Sequence, residues 1–181
     1  MNWFIASVVV AGIIFWFHRQ GKKIIEGEAP AVAPGAVPGK VEKNVVKAAL
    51  ESGELDELTA ATAEKASAID RHMLLERIAE LSYKRRAESK MKTILLKFGR
   101  MHLDEFPDLW PALETEAGEK PNYVATFKLL AMAFEEDGRY DDAIRVCEMA
   151  LEYDLDDGTK TGFEGRIGRL RKKQDSEAHS E

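Results

Sequence analysis

The side chains that most often carry out chemistry are thinly spread in this sequence. Its four histidines stand far apart, at His18, His72, His102 and His179, and none has a second ligand at the spacing of a metal-binding motif. The single cysteine, Cys147, falls within an apolar helical pattern and is predicted to be a core residue, not a nucleophile. The sequence has no glycine-rich phosphate loop and no nucleophile elbow. We therefore expect a protein that is not an enzyme and that needs neither a metal nor another cofactor.

An acidic run partly matches a calcium-binding loop. It contains Asp154, Asp156 and Asp157, which are followed by Gly158. The glycine comes one place early, and no glutamate stands at the position that closes such a loop. A charged helix end followed by a turn explains this run better.

A basic run could contact phosphate groups of lipid or nucleic acid. It consists of Lys84, Arg85, Arg86, Lys90 and Lys92. A solvated helix face is the favoured interpretation, because Glu88 interrupts the run and the formal net charge of the whole chain is -6. A nucleic-acid partner is therefore not expected, whereas contact with anionic lipid stays an alternative.

Residues 3–17 form an apolar segment without a charged side chain, which predicts a single transmembrane helix. Trp3 and Trp16 lie near its two ends, where tryptophan favours the membrane interface. The basic residues of this region, Arg19, Lys22 and Lys23, follow the apolar segment. A cleaved signal peptide has its positive charges before the apolar segment, so a permanent anchor is favoured.

The same flanking charges predict the orientation of the anchor. Lysine and arginine next to a transmembrane helix usually stay in the cytoplasm. The sequence thus predicts a single-pass protein of the plasma (inner) membrane, with its N-terminus outside and the remaining chain cytoplasmic. Ser7 and Ala11 have the spacing of small residues that lets two such helices approach, so a homodimer is possible but has no other support.

The chain divides into four parts. Residues 1–20 contain the anchor and its basic flank, and residues 21–40 form a linker rich in alanine, glycine and proline. Pro30, Pro34 and Pro38 exclude a regular helix from this linker and favour an extended tether. Residues 41–174 are predicted to be an all-α domain, and residues 175–181 a polar, frayed tail.

Apolar residues spaced three and four apart predict several helices within the domain. Asp70 is expected to cap one helix. The next helix is predicted from the spacing of Met91, Ile94, Leu95, Phe98 and Met101. The segment Phe106–Pro111, with sequence FPDLWP, is expected to end that second helix because it contains two prolines. A last helix is predicted over residues 161–174, with Thr161 and Glu164 at the spacing of a capping box.

Residues 124–157 contain two amphipathic patterns separated by Gly138. The first pattern includes Leu130, Ala131 and Phe134. The second has Tyr140 at its start, followed by Ala143, Ala150 and Leu151. Such a pair must pack as an antiparallel hairpin, because the turn between the helices is so short.

This hairpin resembles a tetratricopeptide repeat. The large, small and aromatic packing positions are present, but Cys147 replaces a usual aromatic residue and Leu155 stands where proline commonly ends the unit. An earlier, degenerate repeat could begin near Leu75, with Met91 and Phe98 on its second helix. The resemblance implies a helical-repeat fold that binds proteins or peptides.

In such a repeat, the concave side is lined by the first helix of each hairpin. The resemblance therefore implies partner-binding positions at Lys128, Met132, Glu135 and Tyr83, with Ala125, Met73, Glu76 and Glu80 beside them. The favoured function is a non-catalytic adaptor or scaffold that binds a protein or peptide at the membrane. The alternatives are a module that contacts lipid or nucleic acid through its basic helices, and an accessory subunit of a larger membrane complex.

Overall fold

The computed structural model describes residues 44–116 and 121–179, and this part of the chain is all-helical. The predicted anchor, with Trp3, Trp16, Arg19, Lys22 and Lys23, and the linker lie outside the described residues. The helices are α1 (Val45–Ser52), α2 (Leu55–Ala61), α3 (Ala68–Lys84), α4 (Ser89–Glu116), α5 (Ala125–Glu136), α6 (Tyr140–Glu152) and α7 (Gly162–Ala178). Among these helices, none is long and apolar enough to cross a membrane.

The start of α3 differs from the predicted one. Ser67 precedes the helix and its hydroxyl accepts a hydrogen bond of 3.1 Å from the backbone N–H of Asp70. The expectation that Asp70 is the cap is wrong, because a residue with a shorter side chain already fills that position. Asp70 instead stands in the first turn, where its negative charge interacts favourably with the helix dipole.

Helix α4 continues through both prolines, so the predicted break at residues 106–111 is wrong. Pro107 and Pro111 lie inside the helix, on its exposed side. The apolar face of the helix continues past them through Phe106, Leu109 and Leu113, all of which are buried. Continuous burial of this face outweighs the backbone hydrogen bonds that the prolines cannot donate.

Helices α5 and α6 form the predicted hairpin. The turn between them contains Gly138, whose φ of 68° favours glycine. Ala131, Ala143 and Ala150 are fully buried, which lets the two helices approach closely. Phe134 is also buried, and α4 and α7 contribute further side chains to the same apolar cluster. This cluster forms the main core of the described residues.

The described residues contain a second apolar cluster. It forms where α1 and α2 pack against α3, with Phe98 of α4 beside them. Val46 and Leu58 are its most buried residues on the first two helices, and Leu74 and Ile78 are its counterparts on α3. The two short N-terminal helices thus cover one side of α3 and α4.

The last helix begins near the predicted residue but ends later. It starts at Gly162, and the side chain of Thr161 makes no capping hydrogen bond, so the predicted capping box is not formed. The helix extends to Ala178, which corrects the expected frayed tail after Gln174. Tyr140 of α6 donates a hydrogen bond to Glu177, and Gln174 donates one of 2.8 Å to Asp141. These contacts to α6 hold the final turns in place.

Candidate protein-binding surface

Helices α3 and α5 pack side by side, and their outward residues form a shared surface. Tyr83 of α3 and Met132 of α5 meet there, since the tyrosine hydroxyl lies 3.7 Å from the methionine sulfur. The same hydroxyl lies 3.5 Å from a carboxylate oxygen of Glu136. Burial raises the pKa of Tyr83, and the carboxylate of Glu136 adds to this shift. Two of the four predicted partner-binding residues are therefore brought together.

The other two predicted residues lie further along α5. Glu135 accepts a hydrogen bond of 2.6 Å from Lys173, and its second oxygen lies 3.7 Å from Arg166. It therefore joins α5 to α7 and is committed to contacts within the chain. Lys128 is half-buried and lies beside Gly158, in the loop that follows α6.

Ala125 does not line the surface, and the expectation that it does is wrong. It is buried, and its backbone N–H donates a hydrogen bond of 2.6 Å to Glu76. Glu76 is likewise drawn into the seam between α3 and α5, where burial raises its pKa to about 7. Helix α5 thus receives its N-terminal cap from a side chain of α3, because Val124 supplies none.

Two exposed apolar side chains extend the surface. Met73 of α3 is 40% exposed, and Tyr123, just before α5, is 45% exposed. Tyr123 was not predicted to belong to the site. Burial raises its pKa, with further contributions from the carboxylates of Glu76, Glu80 and Asp157, which places this ring among acidic groups. We use the name α3–α5 face for the surface formed by Met73, Glu80, Tyr83, Tyr123, Lys128 and Met132.

The basic run is largely neutralised by neighbouring carboxylates. The guanidinium group of Arg85 pairs with Glu88 at 2.9 Å, and that of Arg86 pairs with Glu136 at 2.8 Å. Lys92 pairs with Asp137. Three of the five cations in the run are thus held in ion pairs within the chain, which lowers the positive charge available for phosphate groups.

The acidic run serves the packing of α7. Asp157 is fully buried, and Arg166 donates hydrogen bonds of 3.0 and 2.9 Å to one of its oxygens. Burial alone would raise the pKa of Asp157, but hydrogen bonds from Thr159 and Arg166 outweigh it and lower this pKa. Within residues 44–116 and 121–179, no group of three potential ligands is arranged to hold a metal ion.

Three reactive side chains, those of Cys147, His72 and His102, contact the interior of the domain. Cys147 is buried in the α5–α6 hairpin, and burial raises the pKa of its thiol to about 12. His72 and His102, which are far apart in the sequence, meet at 2.9 Å between α3 and α4. The prediction from the sequence concerned only the spacing of metal-binding motifs along the chain, and such spacing does not report contacts between helices.

Comparison with known proteins gives no further assignment. No family model matches the chain, and neither a curated protein nor a solved structure shows significant similarity to it.

Proposed function

We propose that this protein is a membrane-tethered adaptor whose tetratricopeptide-like domain binds a protein partner through the α3–α5 face. In this proposal, the segment from Trp3 to Trp16 spans the plasma membrane and the basic residues Arg19, Lys22 and Lys23 keep the domain on the cytoplasmic side. The linker of residues 21–40 lets the domain reach partners some distance from the membrane.

The exposed apolar side chains of the α3–α5 face support this proposal most directly. The described residues contain three large apolar side chains that are clearly exposed, and Met73 and Tyr123 are two of them. Methionine adapts to different partner surfaces, and tyrosine is enriched at the energetic centres of protein interfaces. The third, Val45, lies on α1, outside the face.

The charges around the α3–α5 face favour a protein partner over a phosphate-bearing one. The guanidinium of Arg86 stacks over the Tyr83 ring at 4.0 Å, and it already pairs with the carboxylate of Glu136. The phosphate-binding alternative therefore has less support than the adaptor.

Site-specific crosslinking of the full-length protein in intact membranes tests the proposal. A photo-reactive residue replaces Met73 or Tyr123 in one pair of variants and Val45 in a control variant. We expect the same partner to be captured from Met73 and Tyr123 but not from Val45, and we expect Met132→Glu to weaken the capture from both positions. Equal capture at all three positions would contradict the proposed face.

Salt dependence and membrane extraction complete the test. Contacts through apolar side chains should survive an increase in salt from about 0.1 M to about 1 M, whereas contacts that rely on exposed charges should be lost. The protein should also stay with membranes after alkaline carbonate treatment. Its release by carbonate would contradict the membrane anchor and leave the α3–α5 face to be judged by the crosslinking alone.

A further inference from the structure

Four polar side chains lie one after another through the junction of α3, α4 and α5. We call this row of side chains the polar chain. Nδ1 of His72 lies 2.9 Å from Nε2 of His102, and Nδ1 of His102 lies 2.7 Å from the hydroxyl oxygen of Thr126. His102 and Thr126 are fully buried. Glu76 stands at the outer end, with one carboxyl oxygen 3.6 Å from Nε2 of His72 and the other holding the N–H of Ala125. The chain thus joins the surface of α3 to the core.

Neutral histidines can complete this chain in only two ways, because each neutral ring has one N–H group. In the first, Thr126 donates to His102, His102 donates to His72, and the Nε2–H of His72 points towards Glu76. In the second, every hydrogen bond is reversed, and both rings carry the proton on Nδ1 instead of Nε2. The direction of the chain and the tautomers of both rings are therefore linked.

Glu76 acts on the chain through its charge. The distance of 3.6 Å to His72 exceeds the length of a hydrogen bond. An ionised carboxylate attracts the Nε2–H of His72 and so favours the first direction. A protonated carboxyl loses that attraction and turns its own O–H towards Nε2 of His72, which favours the second direction.

Few other charged or titratable groups of the described residues lie around the polar chain. On α3, Arg71 lies next to His72, and two of its hydrogen bonds, each 2.7 Å, go to the carboxylate of Glu105 on α4. Glu80 and Tyr123 approach Glu76 from α3 and from the segment before α5. Helix α5 contributes the uncharged hydroxyl of Thr126. The ring of Phe106 packs against both histidines and keeps the junction apolar.

The local environment keeps the rings neutral while Glu76 titrates. Burial lowers the pKa of His72 to about 4 and that of His102 to about 3. Burial acts in the opposite direction on the carboxyl group and raises the pKa of Glu76 to about 7. Near neutral pH, the proton on Glu76 is therefore the one that changes.

We propose that Glu76, His72, His102 and Thr126 form a proton-controlled tautomer switch, in which the charge on Glu76 sets the direction of the hydrogen bonds between the α3 surface and Thr126. Ionised Glu76 holds both rings in the Nε2–H form, and protonated Glu76 holds both in the Nδ1–H form. Because Glu76 also caps α5, the switch connects protonation at the surface with the seam between α3 and α5. It does not depend on the identity of any partner.

The ring tautomers are measured directly by nuclear magnetic resonance. The full-length chain is labelled with ¹⁵N-histidine, and through-bond correlations assign each ring from its backbone. Ring nitrogen shifts separate Nε2–H from Nδ1–H, and they are followed from about pH 5.5 to about pH 8.5, the range in which both rings stay neutral. We expect His72 and His102 to change tautomer together with one midpoint at about 7. A single fixed tautomer, or separate changes in the two rings, would overturn the switch.

Two glutamine variants identify the controlling group. Glu76→Gln keeps an oxygen that accepts from Ala125 but cannot ionise, so we expect its rings to show no change of tautomer with pH. Glu80→Gln, one turn further along α3, removes a carboxylate that pairs with Arg77 at 3.2 Å and should leave the transition in place. Persistence of the transition in Glu76→Gln would overturn the proposal. Circular dichroism at each pH checks that both variants are folded. If a variant does not fold, the tautomer titration of the wild-type protein alone tests the proposal.

Discussion

At the scale of single residues, the missing side chain of Gly99 sets the distance between α4 and α5. A β-carbon added at Gly99 would lie 2.8 Å from Cδ2 of Leu130, which is fully buried and cannot move aside into solvent. Gly168 in α7 has no neighbouring atom within 4 Å of the same added position. Both glycines lie within helices, but a methyl group would clash with Leu130 at Gly99 and would meet open space at Gly168.

Alanine at these two positions should therefore have opposite effects. Gly99→Ala is expected to lower the free energy of unfolding by about 1–2 kcal/mol, because overpacking exceeds the gain in helix propensity. Gly168→Ala should raise it by about 1 kcal/mol, since only helix propensity changes there. Urea unfolding followed by circular dichroism measures both. Stabilisation by Gly99→Ala would show that α4 and α5 can separate without cost.

The buried ion pair between Asp157 and Arg166 gives a second prediction at this scale. Arg166→Met leaves a buried carboxylate without its cation and should cost about 3–5 kcal/mol of unfolding free energy at neutral pH. Adding Asp157→Asn to the Arg166→Met variant should restore part of this loss, because the buried side chain at position 157 is then uncharged.

The pH dependence of this pair follows from the direction of the shift. The pKa of Asp157 is lowered in the folded protein, so its contribution is complete above the unfolded value and is lost as pH falls below it. Wild-type stability should therefore decrease in acid, while Arg166→Met should lack this part of the decrease. Unfolding curves at neutral and acidic pH compare the two proteins, and parallel acid profiles would contradict the role of the pair.

Residue burial could be predicted from the sequence better than residue contact. Phe134, Ala143 and Cys147 were placed in the core because they recur at helical spacing, and all three are buried. The contact between His72 and His102 could not be predicted, since the two residues come from different helices and no motif relates them. The exposure of Tyr123 was missed for a similar reason, because it precedes a helix and belongs to no periodic pattern.

At the scale of secondary structure, the α5–α6 hairpin depends on small residues at its interface. Ala143 is fully buried where α6 meets α5. Ala143→Glu places a charge there without a partner, and we expect it to destabilise the protein by about 3 kcal/mol or more. Arg145→Glu, on the exposed side of the same helix, is the control. It removes an exposed ion pair with Asp142 and should have little effect. Thermal unfolding of both variants tests the orientation of the helix, and a wild-type melting curve for Ala143→Glu would mean that the buried face is assigned wrongly.

Helix boundaries were less predictable than helices themselves. Prolines in residues 106–111 suggested a break, but the apolar face of α4 continues across them and tertiary packing decides the outcome. The cap of α5 could not be predicted at all, because it is Glu76, a residue 49 positions earlier in the chain. A cap that lies beside its helix, as Ser67 does, leaves a local signal in the sequence even though Asp70 was chosen in its place, whereas a cap from another helix leaves none.

At the scale of the whole described domain, α1 and α2 complete the core. They cover Leu74, Leu75 and Ile78 of α3, which are otherwise apolar surface. A chain that begins at Val41 should be monomeric and strongly helical by circular dichroism. A chain that begins at Ala63 should expose this apolar surface and aggregate or melt at a lower temperature. Sedimentation and thermal unfolding distinguish the two, and equal behaviour would show that the first two helices are dispensable.

The all-α class was predictable from the sequence and is confirmed for the described residues. Composition and periodicity sufficed for this, because glycine and proline are few and apolar residues recur three and four apart. The packing of α1 and α2 over α3 was harder to predict from the sequence. Their own apolar stripes are short, and nothing in those stripes indicates which helix they contact.

The buried position of Cys147 allows the opening of the α5–α6 hairpin to be measured in the wild-type protein. It is the single sulfhydryl group of the chain, it is inaccessible inside the α5–α6 hairpin, and it stays protonated at neutral pH. An alkylating reagent can therefore modify it only after the hairpin has separated from its neighbours. The rate of mass gain in the unmodified wild-type protein should thus measure how often this hairpin opens, without any engineered probe.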